Sequence, residues 1–323
     1  MSIKISVIIP TYKRHQLLKN CLCHLFNQTL NKELYEIIIV SDGPDTTSSE
    51  LVSEMAKRST ANFRFLFSTD KKGPAAARNV GWQNANGFLV AFTDDDCRPD
   101  QNWLKTILEA YKSEIEVAYT GRMVVPVSDK PTDFELNTKS LERGEFVTAN
   151  CAVTKGALQA IGGFDESFTM AWREDSDLHF KLINRGVPII KLQDAIVTHP
   201  VREAPWGVSI KEQKKTMFNA LLYQKYPILY RQRIKSGPSW HYYFIVLCFM
   251  LLVLASILKV KWLALIAFAG WFLLTGAFIL RRLSTTRKTG SHIFEMIATS
   301  VVIPFLSIFW SIYGAVKYRV LFF

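Results

Sequence analysis

Cysteine is scarce in this 323-residue chain, and none of the five (Cys21, Cys23, Cys97, Cys151, Cys248) stands at a CxxC or other metal-ligand spacing. That excludes a disulfide framework and a zinc ribbon, suits a reducing compartment, and marks the thiols as small buried hydrophobes. The amino terminus lacks an apolar run long enough for a signal-peptide core and has no small-residue cleavage site, so the N-terminal domain is expected in the cytosol. Acidic residues nearly vanish from the last quarter: between Trp240 and Phe323 only Glu295 stands against eight Lys or Arg. Much of the formal charge of +11 therefore flanks apolar stretches, where membrane topology accounts for it and nucleic-acid binding does not.

Long hydrophobic runs are what this last quarter does contain. Tyr242 to Leu258 and Trp262 to Leu280 are each long enough to cross a hydrocarbon core of roughly 30 Å, with Trp240, Tyr242, Tyr243 and Trp262 as interfacial anchors. Only Lys259-Val260-Lys261 separates them, which predicts a tight hairpin. The following basic cluster, Arg281, Arg282, Arg287 and Lys288, is expected on the cytoplasmic side together with the N-terminal domain. Met296 to Val316 is a third apolar segment, interrupted by Pro304, that reads as a kinked spanning helix or a re-entrant one; Lys317 and Arg319 favour an inside carboxyl end. Upstream, residues 209–235 carry Met217, Phe218, Leu221 and Leu222 at helical spacing amid lysines and arginines. That segment reads either as an amphipathic element on an anionic leaflet or as an ordinary surface helix.

The first two thirds alternate strand and helix. Apolar runs at Lys4 to Ile9, Tyr35 to Val40, Phe63 to Ser68 and Phe88 to Thr93 read as strands, and Leu17 to Phe26, Glu50 to Arg58 and Ala75 to Asn84 as helices. Such alternation predicts an α/β domain with a mostly parallel sheet whose ligands bind beyond the carboxyl ends of the strands. The polar signals stand there: Thr11 and Arg14 after the first strand, Asp42 after the second, Asp94, Asp95 and Asp96 after the fourth.

Three adjacent carboxylates repel one another, and a bound divalent cation would offset that repulsion. Hard oxygen ligands suit Mg²⁺ or Mn²⁺, which take one or two carboxylates and complete their shell with substrate phosphate oxygens. Arg78, on a helix behind Lys71-Lys72-Gly73-Pro74, could pair with phosphate or with the acidic cluster, whereas Lys71 and Lys72 read as surface salt-bridge partners. A second acidic cluster, Glu174-Asp175-Ser176-Asp177, opens the helical stretch His179 to Asn184, where carboxylates serve either as a helix cap or as a general base. His199 ends another apolar run.

Taken together, Val7-Ile-Ile-Pro-Thr-Tyr-Lys-Arg14, Ile39-Val-Ser-Asp-Gly43, Gly73 to Asn79, Asp94 to Asp96, Gly162-Gly-Phe-Asp165 and Glu174-Asp175 resemble the family 2 glycosyltransferases of GT-A fold. The resemblance covers Ser6 to about Pro200, or roughly two thirds of the chain. It implies a GT-A catalytic domain over 1–207, followed here by an amphipathic juxtamembrane segment over 208–239 and a membrane region over 240–323 with two or three helices. Thr11, Arg14 and Asp42 would hold the nucleotide, with Asp42 facing the base, and Arg78 would lie near the diphosphate. Asp94 would touch the ribose and Asp96 the metal; the register can slip by one, so that Asp95 shares either role and Asp94 the metal. Asp175 matches the family's catalytic base, with Glu174 beside it, and His199 matches a histidine that some members place near the metal. The implied reaction is a single inverting displacement from a nucleotide-diphosphate sugar, UDP being the commonest donor, with Mn²⁺ or Mg²⁺ and no nucleic acid involved. The expected place is a bacterial-type inner or plasma membrane, spanned more than once, with the catalytic domain cytoplasmic.

Processive synthases of this family carry Gln-x-x-Arg-Trp before their membrane helices. Here the nearest stretch, Gln213-Lys-Lys-Thr-Met217, lacks the Arg-Trp pair, which favours transfer of one sugar to a lipid-linked or membrane-associated acceptor. The alternatives are a processive polysaccharide synthase or a membrane scaffold that binds a nucleotide sugar without transfer. A nucleotidyltransferase would need an early glycine-rich loop, and Pro10 to Leu18 contains no glycine.

Overall fold

A computed structural model describes residues 2–57, 62–113 and 116–322. The chain divides into two compact units, residues 1–126 with 139–201 and residues 127–138 with 202–323.

The first unit is built on an eight-stranded sheet: β1 (Ile5–Thr11), β2 (Tyr35–Ser41), β3 (Asn62–Phe67), β4 (Leu89–Phe92), β5 (Arg98–Pro99), β6 (Ala118–Val124), β7 (Cys151–Thr154) and β8 (Ile189–Thr198), in the order β3-β2-β1-β4-β7-β6-β8-β5. The four strands from β3 to β4 run parallel, β7 is antiparallel to both its neighbours, and β6 and β8 are again parallel. β1 and β2 are buried along their whole length, as strands covered on both faces must be. The period of two sorts their side chains into two cores. Val7, Ile9, Ile37 and Ile39 face α1 (His15–Phe26), α2 (Thr46–Ala56) and α4 (Trp103–Ala110). Ile8, Ile38 and Val40 face α3 (Pro74–Gln83), α6 (Lys155–Ile161) and α7 (Glu174–Arg185).

From β1 the chain moves outward to β2 and β3 and then returns to β4 on the other side of β1, with α1 and α3 on opposite faces. That reversal opens a crevice at the carboxyl ends of β1 and β4, where a doubly wound sheet binds ligands.

Several details differ from the sequence expectations. Pro10 does not end β1 but stays in the ladder opposite Val40; β4 has already ended at Phe92 opposite Ile8, so no second neighbour asks for the missing N–H. Arg58, the expected end of the second helix, lies outside the described residues. α7 begins five residues before His179, which places Glu174 and Asp175 in its first turn. Cys21, Cys97 and Cys151 are buried, but Cys23 is exposed, because two residues along a helix turn a side chain to the opposite face.

The second unit holds the excursion 127–138, in which α5 (Asp133–Lys139) begins, and then α8 (Val208–Glu212), α9 (Met217–Lys225), α10 (Pro227–Arg233), α11 (Trp240–Ile257), α12 (Lys261–Leu283) and α13 (Gly290–Lys317). The last three are long and apolar enough to cross a membrane. α11 and α12 form an antiparallel hairpin: Tyr242 meets Phe278 edge-on, Phe249 meets Trp271, and Gly270 lets the Cys248 sulfur approach.

Two glycines set how closely α3 is approached. A Cβ at Gly73 would lie 2.5 Å from the Thr169 carbonyl oxygen, and one at Gly163 would lie 2.5 Å from Trp82 Nε1, in a backbone already at φ +62°. Gly162 shares the left-handed conformation but has nothing within 4 Å. Gly163→Ala is therefore expected to lower the unfolding free energy by about 2–3 kcal/mol and Gly162→Ala by about 1 kcal/mol. Thermal melts of the two purified variants compare them directly, and equal losses would contradict the close approach.

Candidate active site

α3 meets polar groups from several of the sequence motifs. Its N-terminus receives the Asp42 carboxylate from the turn after β2, which accepts from Lys72 N at 2.8 Å and Gly73 N at 2.9 and 3.0 Å. A carboxylate on free amide protons at a helix start is electrostatically favourable. Lys71, expected in a surface salt bridge, instead places its ammonium 4.3 Å from the centre of the Tyr12 ring, beside Gly43. One turn into α3, Arg78 is buried and forked: Nη2 donates to Asp94 at 2.7 Å and Nη1 to Glu174 at 3.2 Å. The next residue, Asn79, donates from Nδ2 to the Phe164 carbonyl and Glu166 and accepts at Oδ1 from Phe164 N and Trp82 Nε1. Asn79 thereby fastens the Gly162-Gly163-Phe164 turn to α3.

The three aspartates after β4 diverge. Asp94 turns to Arg78. Asp95 is buried, accepts from Thr11 Oγ1 at 2.8 Å and pairs with half-exposed Arg14 at 3.3 Å; burial pushes its carboxyl up to about 6 against the pull of Arg14. Asp96 faces His199, with Oδ1 3.5 Å from Nε2, and Cys97 Sγ completes a buried group of three possible ligand atoms.

This last group fits a divalent cation. Nδ1 of His199 lies 3.2 Å from the Pro200 carbonyl, which can only accept, so Nδ1 donates there and Nε2 is the ring atom turned toward the Asp96 carboxylate. An imidazole nitrogen and a carboxylate oxygen turned toward each other would suit a cation between them, and a carbonyl behind Nδ1 is the usual support of a metal-binding imidazole. Cys97 is a poorer ligand: burial and the neighbouring aspartates hold its thiol protonated, and Sγ donates to Asp96 Oδ1 at 3.9 Å.

The second acidic cluster arrives on α7, whose N-cap, Arg173, is left-handed at φ 74°. Glu174 is buried against Arg78; burial pushes it up to about 7, with the guanidinium pulling the other way. Asp175 is partly buried, Oδ1 accepting from Ser176 N at 2.7 Å and Oγ at 3.3 Å, and burial raises it above the ordinary carboxylate range. Asp95 thus links Thr11 and Arg14, Arg78 links Asp94 and Glu174, and Asp96 and His199 form a third pair. Asp175 accepts from Ser176 within the first turn of α7, and Asp42 accepts from Lys72 and Gly73 at the start of α3. Sequence reasoning missed Asn79, Tyr12 and Cys97. Only Asn79 carried a signal, as the polar residue following Arg78 on an otherwise small-residue helix.

Residues 6–173 match the family described as Glycosyl transferase family 2. Among related sequences, glycosyltransferase AglE of Haloferax volcanii is 28% identical over 65% of this chain and 70% of its own length. Chondroitin synthase of Escherichia coli is 26% identical over 72% of this chain but only 40% of its own length. Among solved structures, the mannosyltransferase PcManGT of Pyrobaculum calidifontis, in complex with GDP-Man and Mn²⁺, superimposes with a TM-score of 0.58 at 17% identity, covering 99% of this chain and 88% of that one. TarS of S. aureus in complex with UDP-GlcNAc gives a TM-score of 0.54 at 17% identity, covering 98% and 92%. These two neighbours share the fold.

Removing the Arg78 charge would take from buried Glu174 its ion-pair partner and from Asp94 one of its partners. Arg78→Met is expected to cost about 3–5 kcal/mol of stability, and Glu174→Gln in the same background to restore part of it, as denaturant melts of the single and double variants would record. The pH dependence has a definite sign. Because the folded value of Glu174 lies above the unfolded one, its contribution is fully present below about pH 4.3 and is lost as pH rises through about 7. The wild-type melting temperature should therefore fall relative to Glu174→Gln across that interval; parallel curves would refute the assignment.

Proposed function

For this chain, which belongs to glycosyl transferase family 2, we propose an inverting transfer of one sugar from a nucleotide-diphosphate donor to a lipid-linked or membrane-associated acceptor. The observation that carries this reading is the Arg78 fork, which joins the carboxyl end of β4 to the first turn of α7 and so brings the two acidic clusters into one site.

Thr11, Arg14 and Asp42 line the nucleotide side of the crevice, with Asp94 and Asp95 toward the ribose. Asp96 and His199 would hold the divalent ion, and the mix of carboxylate and imidazole leans toward Mn²⁺ over the all-oxygen preference of Mg²⁺. When bound, the ion supplies positive charge to the departing diphosphate. Arg78 adds a second fixed cation beside Asp94.

Asp175 acts as general base. Its Oδ1 is occupied by Ser176, so the acceptor hydroxyl delivers its proton to Oδ2. The hydroxyl oxygen bonds to the anomeric carbon while the bond from that carbon to the diphosphate oxygen breaks on the opposite face, which inverts the configuration. Burial that raises Asp175 strengthens it as a base and confines its ionised form to higher pH.

Residues 1–207 are assigned as the catalytic domain, 208–239 as a juxtamembrane segment and 240–323 as the membrane region. α11 and α12 cross as a hairpin, with Arg281, Arg282, Arg287 and Lys288 at the cytoplasmic side.

Membranes containing the protein, incubated with Mn²⁺, a set of nucleotide sugars and a lipid extract, should release nucleoside diphosphate with at least one donor. Asp175→Asn should lower kcat by 10²–10⁴ while leaving donor binding nearly unchanged, and the kcat–pH profile should rise through a pKa above the ordinary carboxylate range. Asp96→Asn and His199→Ala should each raise the Mn²⁺ concentration needed for half-maximal turnover. Full turnover by Asp175→Asn would overturn the assignment of the base.

A further inference from the structure

By length and composition α13 could cross a membrane. Its companions within the second unit point elsewhere. From one end to the other it lies alongside residues 207–230: Gly207 N donates to Glu295 Oε1 at 2.7 Å, the Lys214 ammonium lies over the Trp310 ring, Gly314 touches the Met217 backbone, and Phe322, just beyond the helix, packs on Tyr223 and Tyr230. That companion segment carries Lys211, Glu212, Lys214, Lys215 and Lys225. So dense a run of charge does not enter hydrocarbon, and a helix packed beside it along its whole length stays on the same side.

The crossings with the hairpin agree. At the end of α12, Arg282 donates to Thr299 Oγ1 and Ser300 Oγ of α13, at 2.7 and 2.8 Å, and its remaining nitrogens hold Asp133 of the excursion. At the start of α11, a small hollow beside Ser239, Tyr242 and Tyr243 is closed by Ser307 and Ser311. In an antiparallel hairpin the start of α11 and the end of α12 lie at the same face of the bilayer. Residues 299 and 311 of α13, about 18 Å apart along the helix, therefore both lie at that face. The helix is also two-sided. Phe294, Val302, Phe309, Ile312 and Val316 form one exposed stripe, while His292, Thr299, Ser300 and Ile303 are buried on the other.

We propose that α13 does not cross the bilayer but lies in the plane of the leaflet where α11 begins and α12 ends, its exposed stripe in the acyl boundary and its polar side on the cationic segment. The carboxyl end then shares the side of that segment, and the chain crosses twice. The inference rests on the reading of α11 and α12 as a spanning hairpin.

Topology reporters on the full chain test it. Green fluorescent protein at the carboxyl end should fluoresce and alkaline phosphatase there should be inactive, while phosphatase inserted after Lys259 should be active. Active phosphatase at the carboxyl end, with the Lys259 insertion also active, overturns the in-plane helix and leaves the hairpin standing; an inactive insertion after Lys259 removes the hairpin and the inference with it. To separate an in-plane helix from a re-entrant one, a nitroxide amino acid is introduced genetically at Phe294, Val302, Phe309 and Val316 and its depth measured in reconstituted vesicles. Four similar shallow depths are expected, and a depth that passes through the bilayer centre along the series would overturn the proposal.

Discussion

The buried guanidinium of Arg78 organises the catalytic unit. A charge removed from water must be matched by partners with the right geometry, and the planar fork meets most of that demand through Nη1 and Nη2, with one carboxylate from the turn after β4 and one from the start of α7, while Nε stays unpaired. α3 and the start of α7, where Arg78 and Glu174 stand 96 positions apart in sequence, are thereby held at one point. Asn79, next along α3, does the same with uncharged groups for the glycine turn at 162–164. α3 can play this part because its small residues Ala75, Ala77 and Gly81 let it lie close against β1 and β2, and because Gly73 admits the Thr169 backbone at its start.

The repulsion within Asp94-Asp95-Asp96 is resolved by separating their partners. Each carboxylate turns to a different element: Asp94 to α3, Asp95 to the end of β1, and Asp96 to the histidine that follows β8. The last pairing differs in kind from the other two. Arginine and threonine donate to their aspartates outright, whereas His199, whose Nδ1 faces the Pro200 carbonyl, sets Nε2 toward Asp96, an arrangement that a cation between them would suit.

The strands were legible because parallel, doubly buried strands read as uninterrupted β-branched runs, and the hairpin of α11 and α12 because apolar length is itself the signal. Errors arose where a local rule met a tertiary exception. Proline reads as a strand terminator, yet Pro10 sits where β4 no longer pairs. Lysines beside aspartates read as salt bridges, yet Lys71 rests on Tyr12. The thiols read as uniformly buried, although Cys23 lies on the outer side of α1. The acidic cluster at 174–177 was legible as a helix start, because carboxylates are favoured there, whereas the left-handed Arg173 before it is announced by no local pattern.

By itself the sequence determined the α/β class, the order of the polar motifs along the strand ends, and the apolar segments of the carboxyl quarter, since each depends on periodicity or on neighbours within a few residues. Tertiary structure alone decided which aspartate meets which partner, that Arg78 serves both acidic clusters, that Asp133 is drawn to Arg282, and that α13 runs beside a charged segment. These are matters of direction and of long-range partnership. A side chain's chemistry states what it can bind, but only the packing of the elements around it determines what comes within 3 Å.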